Sequence, residues 1–262
     1  MTSEPNDLSA NNDPLGPHAW LIPQTWPELP VGAVHLWRLS LNVSEDRRDA
    51  LHELLTADER HRSDRFVFVE HRQRFIACRG RLRQILAGYL ERPPDSLLFR
   101  YTHRGKPYMD AAFAAHLDFN LSHAEDVALI SVTRDGPVGV DLEKIRPLTA
   151  DLWALADQHF TNSERTQLRA LTPDRQLEAF FRGWTRKEAL IKADGAGLAI
   201  SLDQVEVGLA EQCSDDPVHF PPEARPPYTW RLHSIDPAQG YVAALAAPLQ
   251  IQSIQFYDWA SP

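Results

Sequence analysis

Residues 34–41, VHLWRLSL, alternate apolar and polar side chains, the period of a strand with one face buried. Thr56 followed by Glu59 has the spacing of a capping box and predicts a helix start. From about Glu70 to Leu90 the period changes to that of a helix. Phe75, Cys78, Leu82, Ile85, Leu86 and Tyr89 form its apolar stripe, and Arg72, Arg79 and Arg83 lie on a neighbouring one. Pro93-Pro94 is expected to end that helix. Short strands follow at 97–101, 119–121 and 127–133.

Asp135-Gly136-Pro137 is a turn signal, and the next strand is expected at 138–143. Helices are expected at about 151–159, 163–170 and 174–193. The proline-rich segment 214–227 reads as a loop. Three strand-like runs close the chain at 228–234, 241–246 and 251–257. Each half thus carries helices and several strands. The order predicts an α+β fold of two pseudo-symmetric lobes, 18–136 and 137–262, each a small, mainly antiparallel sheet packed with helices. Residues 1–17 read as a polar, disordered tail. A ligand is expected between the lobes.

The chain has 262 residues, 43% of them hydrophobic, enough for a sizeable core. No apolar run approaches the roughly 18 residues of a membrane helix, and the N-terminus lacks the basic and apolar regions of a signal peptide. Cys78 and Cys213 are its two cysteines, and neither lies in a CxxC, so a zinc site or disulfide framework is not expected. The expectation is a cytoplasmic monomer. A net charge of −9 argues against general nucleic-acid binding. The charge is uneven: from Asp58 to Arg83 eight arginines face four acidic residues. Such an island can serve one anionic ligand, or it can be a solvated, internally paired helix face.

Four short motifs carry candidate chemistry. Asp141 and Glu143 are two apart on a predicted strand, so both carboxylates point to one face. Side by side they suit a hard divalent cation, although a solvated strand edge carries the same pattern. Glu188 and Lys192 are four apart on a predicted helix, as in an ordinary surface ion pair. Yet Trp184 lies one turn earlier, Lys187 is adjacent, and Gly195 and Gly197 break the helix just beyond. Asn120-Leu121-Ser122-His123 follows a short strand and offers hydrogen bonds to a phosphate or base. Arg104-Gly105-Lys106-Pro107 is a turn that can present Lys106 to a phosphate.

Each motif is weak alone, but their order is not. GKP, NLSH, GVDLE and WTRKEALIK followed by GxGL, with Phe160-Thr161-x-x-Glu164 between the last two, resembles the ordered signature of the 4'-phosphopantetheinyl transferases. The chain length is similar to that of the Sfp-type members, which have two lobes in one chain. The resemblance implies transfer of phosphopantetheine from coenzyme A to a serine of an apo acyl, peptidyl or polyketide carrier protein, releasing 3',5'-ADP. It implies Mg²⁺ held by Asp141, Glu143 and Glu188, with Glu188, Lys192 and Asp141 as the catalytic residues. It implies coenzyme A contacts from Lys106, Pro107, Ser122, His123, Lys187 and Lys192. Arg62 and Arg79, with Arg83 as a looser candidate, are expected at the 3'-phosphate. One departure is Glu59, at a place where Sfp itself has a lysine. Two rival readings are a non-catalytic coenzyme A or carrier-binding protein and another Mg²⁺-dependent phosphate-transfer enzyme.

Overall fold

The computed structural model describes residues 18–103, 105–110, 117–195, 201–213, 216–221 and 226–259. The expected tail 1–17, Arg104, Gly197 and parts of the 214–227 segment lie outside these residues. Nine strands and six α-helices are present among the described residues. In chain order they are β1 (Ala33–Ser40), α1 (Glu45–Glu53), α2 (Ala57–Asp64), α3 (Val69–Leu90), β2 (Phe99–Tyr101), β3 (Pro107–Met109), β4 (Asp118–Ala124) and β5 (Val127–Thr133). Then come β6 (Gly139–Lys144), α4 (Leu152–His159), α5 (Asn162–Ala170), α6 (Pro173–Asp194), β7 (Trp230–Ile235), β8 (Tyr241–Pro248) and β9 (Ser253–Asp258). The fold is α+β, with small, mostly antiparallel sheets packed against helices.

One sheet has the order β4-β5-β1-β9 and another β6-β8-β7, while β2 and β3 form a separate hairpin. Hydrophobic contacts stack these elements into four layers. Trp37 and Leu39 of β1 join Leu82, Ile85 and Leu86 of α3 in one core. Val34 and Leu36, on the other face of β1, meet Val140, Leu142 and Leu245 of the second sheet. The far face of that sheet, through Ala244 and Ala246, takes Ala189, Leu190 and Ala193 of α6. Strand β1 was expected to be half-buried, but seven of its eight residues are buried because the second sheet covers its back. Polar positions on both faces are paired internally. His35 Nδ1 lies 2.7 Å from the Tyr89 hydroxyl, and Arg38 meets Asp258 at 2.6 Å.

The chain ends differ from a simple two-lobe division. Strand β9 runs parallel to β1, pairing Val34 with Ile254 and Leu36 with Phe256. The expected lobe 137–262 therefore gives its last strand to the first sheet. Helix α1, with Ser44 as its N-cap, and strand β3 were not anticipated. Helix α3 ends at Leu90, with Glu91 left-handed at φ 50°, and Pro94 then opens a 3-10 turn rather than stopping the helix itself.

Two capping boxes start helices in corresponding ways. Thr56 and Glu59 cap α2, and Thr161 and Glu164 cap α5, each stabilising its helix by about 1 kcal/mol. Glycine decides how closely α6 approaches the second sheet. A Cβ on Gly139 would stand 2.1 Å from the Ala189 carbonyl oxygen and 2.3 Å from the Ala193 nitrogen. Only glycine lets the backbones of β6 and α6 touch here. That contact brings residues 188–192 of the helix against residues 141–143 of the strand.

Candidate active site

Strand β6 pairs with β8 on one edge only. Its other edge would leave the N–H groups of Val140 and Leu142 without partners, and β4 supplies them with side chains. Asn120 Oδ1 accepts from Val140 N at 2.8 Å, and Ser122 Oγ accepts from Leu142 N at 3.2 Å. Asn120 and Ser122 can do this together because residues two apart share a strand face. The NLSH segment therefore lies within β4 rather than after a short strand, and it laces the two sheets together.

Ser122 also belongs to a polar knot. Its hydroxyl donates to Asp141 Oδ1 at 3.1 Å. Lys192 Nζ donates to the same Oδ1 at 2.6 Å and to Ser122 Oγ at 2.9 Å. Asp141 is 5% exposed, and its Oδ2 is buried with no partner. Burial raises the Asp141 carboxyl above its ordinary range, while Lys192 and Ser122 pull it back. Glu143 is raised by burial and then by the charges of Asp141 and Glu188. Glu188 is raised by burial and then by Asp141. The three carboxylates thus repel one another across a shared space between β6 and α6.

This arrangement fits a divalent cation by its chemistry. An orphaned, buried carboxylate oxygen flanked by two mutually repelling carboxylates is an oxygen donor set short of positive charge. Among the described residues, no three His, Cys, Asp or Glu groups stand close enough to hold an ion as they are, and Lys192 supplies the neutralising charge on Asp141. The repulsion has a consequence for stability. A carboxylate with a raised folded-state pKa destabilises the fold when ionised, and the penalty disappears as pH falls through its titration. In protein free of divalent ions, Glu143→Gln should melt higher than the parent near neutral pH, with the gap closing under acid. Thermal melts across that range check it, and a lower melting temperature at neutral pH would contradict the repulsion.

Lys106 reaches the same region from the hairpin. Its ammonium donates to the Val138 carbonyl at 3.3 Å and, at short range, to the Lys192 carbonyl near the end of α6. A cation suits a helix C-terminus. Burial lowers the Lys106 pKa, against the opposing charges of Asp118 and Asp194. Gly195 closes α6 at φ 63°, as the glycine signal implied. His123 is open to solvent beside this knot but surrounded by protein on several sides. Desolvation and then the charges of Lys192 and Arg74 hold its imidazole below its ordinary value.

The basic island is only partly available to a ligand. A cavity of about 540 Å³ lies between α2 and the β2-β3 hairpin, with Asp58, Glu59, Arg62, Phe99, Tyr101 and Gly105 in its wall. A second, of about 490 Å³, has Arg62 and Arg65 in its wall with Asp58 and His61. Arg65 was not anticipated, although it lies three residues after Arg62 and so on the same helical face. Arg79 donates to the Tyr101 hydroxyl at 3.0 Å and leaves Nη1 buried without a partner. Glu59 meets Arg79 at 3.4 Å and Arg83 at 2.7 Å.

Two expectations are corrected. Arg83 borders the first cavity but is 1% exposed, and its guanidinium is held by Glu59 and the carbonyls of Pro94 and Leu97, so it serves mainly as a buried strut of the cavity wall. Lys187 is fully buried and faces away from the knot. It meets Glu164 at 2.8 Å and donates to the carbonyls of Leu202 and Val205. Lys187 is one residue from Glu188, so the helix turns their side chains about 100° apart.

Comparison with known proteins now joins the geometry. Residues 137–246 match the 4'-phosphopantetheinyl transferase superfamily, and residues 42–134 match the family described as 4'-phosphopantetheinyl transferase, N-terminal. The 4'-phosphopantetheinyl transferase HetI of Nostoc sp. (strain PCC 7120) is 40% identical over 230 residues, spanning 87% of this chain and 93% of HetI. This chain belongs to the 4'-phosphopantetheinyl transferase family. A putative 4'-phosphopantetheinyl transferase of Synechocystis sp. (strain PCC 6803) is 33% identical over 69% of this chain and 72% of its own. Sfp of Bacillus subtilis (strain 168) is 26% identical over 78% of this chain and 87% of its own. The transferase assignment covers both halves of the molecule, and the polar knot joins them: Ser122 comes from the N-terminal match, Asp141 and Lys192 from the C-terminal one. No helix among the described residues is long and apolar enough to cross a membrane.

Proposed function

We propose that this transferase moves 4'-phosphopantetheine from coenzyme A to a serine hydroxyl of an apo carrier protein, releasing 3',5'-ADP, with Mg²⁺ held by Asp141, Glu143 and Glu188. The observation that carries this reading is the buried Asp141 carboxylate, with an orphaned oxygen, set between two repelling glutamates and a lysine. When bound, the ion supplies positive charge to the diphosphate oxygens.

The protein's own groups account for the rest. Glu188, with its affinity for a proton raised, accepts the proton of the attacking carrier serine. Lys192, already at the knot, offsets charge on the departing phosphate, His123 donates to the diphosphate, and Ser122 holds Asp141 and Lys192 in place beside it. Lys106 and Pro107 set the end of α6 against the ligand. Arg62, with Arg79 behind it, meets the nucleotide end beside α2, where Tyr101 and Phe99 offer flat faces. No covalent bond forms between protein and substrate, so positioning and charge supply the rate. The two halves work as lobes on either side of the Asn120–Ser122 seam. The free thiols of Cys78 and Cys213 suit a reducing cytoplasm.

The test is direct. Purified protein is incubated with coenzyme A, Mg²⁺ and an apo acyl or peptidyl carrier, and the carrier is weighed by mass spectrometry. A gain of one phosphopantetheine is the expected result. Hydrolysis of coenzyme A without transfer, or binding without product, would overturn the proposal.

A further inference from the structure

The start of α3 breaks two rules at once. Val67, Phe68 and Val69 are 88%, 65% and 67% exposed, three consecutive large apolar side chains open to solvent. Phe68 is also the N-cap of α3 and makes no side-chain cap. The same chain caps α2 and α5 with full threonine–glutamate boxes. A Ser, Thr, Asp or Asn at this position would stabilise the longest helix of the N-terminal half by about 1 kcal/mol. An exposed aromatic there forgoes that stability and adds an apolar patch, so it calls for a purpose in the bound state.

The tip stands at the rim of the polar knot. Phe68 packs edge-on against His71, with ring centroids 5.4 Å apart, and His71 and Arg74 both act electrostatically on His123. On the other side Phe66 packs against Phe75, over which Arg62 lies at 5.5 Å. The nearby cations divide into two groups. Arg72 is paired with Asp64, and Arg74 with Glu125 and Asp126. The guanidinium groups of Arg62 and Arg65 are exposed and meet no carboxylate among the described residues. By contrast, the large apolar side chains of α4, Leu152, Trp153 and Leu155, are all half-buried.

We infer that Val67, Phe68 and Val69 are a docking knob for the carrier protein, entering an apolar groove on the carrier beside an acidic side chain, which Arg65 meets. This deepens the proposed transfer reaction and rests on it. A body that brings its serine to the knot beside His123 must pass this rim, and an apolar tip edged by the unmatched Arg65 complements an apolar groove edged by a carboxylate.

The experiment is steady-state transfer to an apo acyl carrier protein by the parent and by Phe68→Asp and Val67→Asp/Val69→Asp, with carrier and coenzyme A varied separately. The altered side chains are solvent-exposed, so the fold should persist and the KM for coenzyme A should hold. The KM for the carrier should rise about tenfold or more, as expected for losing an apolar anchor of this size. Transfer by the parent with unchanged carrier kinetics in both variants would overturn the docking site and leave the transfer reaction standing. No transfer by the parent would overturn both. A dimer of the parent that Phe68→Asp dissociates, with carrier kinetics unmoved, would assign the knob to a second copy instead and overturn the inference.

Discussion

Replacing Asp141 with alanine should lower turnover at least about a hundredfold, equal to roughly 2.7 kcal/mol of transition-state stabilisation, and Glu188→Ala should do the same. Both variants should melt close to the parent. Asp141 is almost fully buried, its charge opposed by desolvation, with one oxygen unpartnered. A group placed so is not kept for stability, since a neutral side chain would fill the space at lower cost. Without it Ser122 still accepts from Leu142 N, and Lys192, partly open to water, can solvate its charge. Asp141→Asn separates charge from geometry. The amide oxygen can accept from Ser122 and Lys192 as the carboxylate does, but it carries no charge. If the charge is what the reaction uses, Asn falls as far as Ala. Turnover assays with coenzyme A and apo carrier, paired with thermal melts, decide the matter. Parent-like turnover in any of the three removes that residue from the mechanism.

Much of this was legible from local pattern, and the exceptions share a cause. Strand β5 and helices α4, α5 and α6 lie within a residue or two of their expected bounds, because period and capping signals act over a few positions. The motif carboxylates were also readable, since strand alternation alone puts Asp141 and Glu143 on one face. What sequence could not show was long-range pairing. Nothing in residues 251–257 says that β9 returns to lie parallel to β1. Nothing in VHLWRLSL says that α3 will bury His35 on one face while a second sheet covers the other. The arginines mislead for the same reason. A basic stripe on α3 looks like a ligand surface, yet Arg83 is buried against Glu59, and Arg79 is only partly free. Glu59, an apparent obstacle to phosphate binding when read as a charge in a list, is the buried counterion that allows arginines inside at all.

Lys187 shows how far that distinction reaches, and its replacement should produce the largest loss of stability in the molecule. Lys187 and Glu164 are both 0% exposed, and their contact is 2.8 Å. Glu164 also accepts from Thr161 N and Val207 N, while Lys187 donates to the carbonyls of Leu202 and Val205. One ion pair therefore ties α5, α6 and the 202–207 segment together. Lys187→Met keeps the length of the side chain but leaves a buried carboxylate without its cation and two carbonyls without a donor. Breaking a buried pair from one side costs about 3–5 kcal/mol. In a chain of this size that lowers the melting temperature by roughly 10 °C or more. Lys187→Met/Glu164→Leu removes both charges and should recover part of the loss, since the uncompensated charge is what destabilises the single variant. Well below its melting point, Lys187→Met should bind coenzyme A with a KM within about threefold of the parent, because the ammonium never reaches the cleft. A stable variant with a sharply raised KM would return Lys187 to the ligand, whereas a large drop in melting temperature with an unchanged KM identifies a buried pin that holds α6, and with it Glu188, in place.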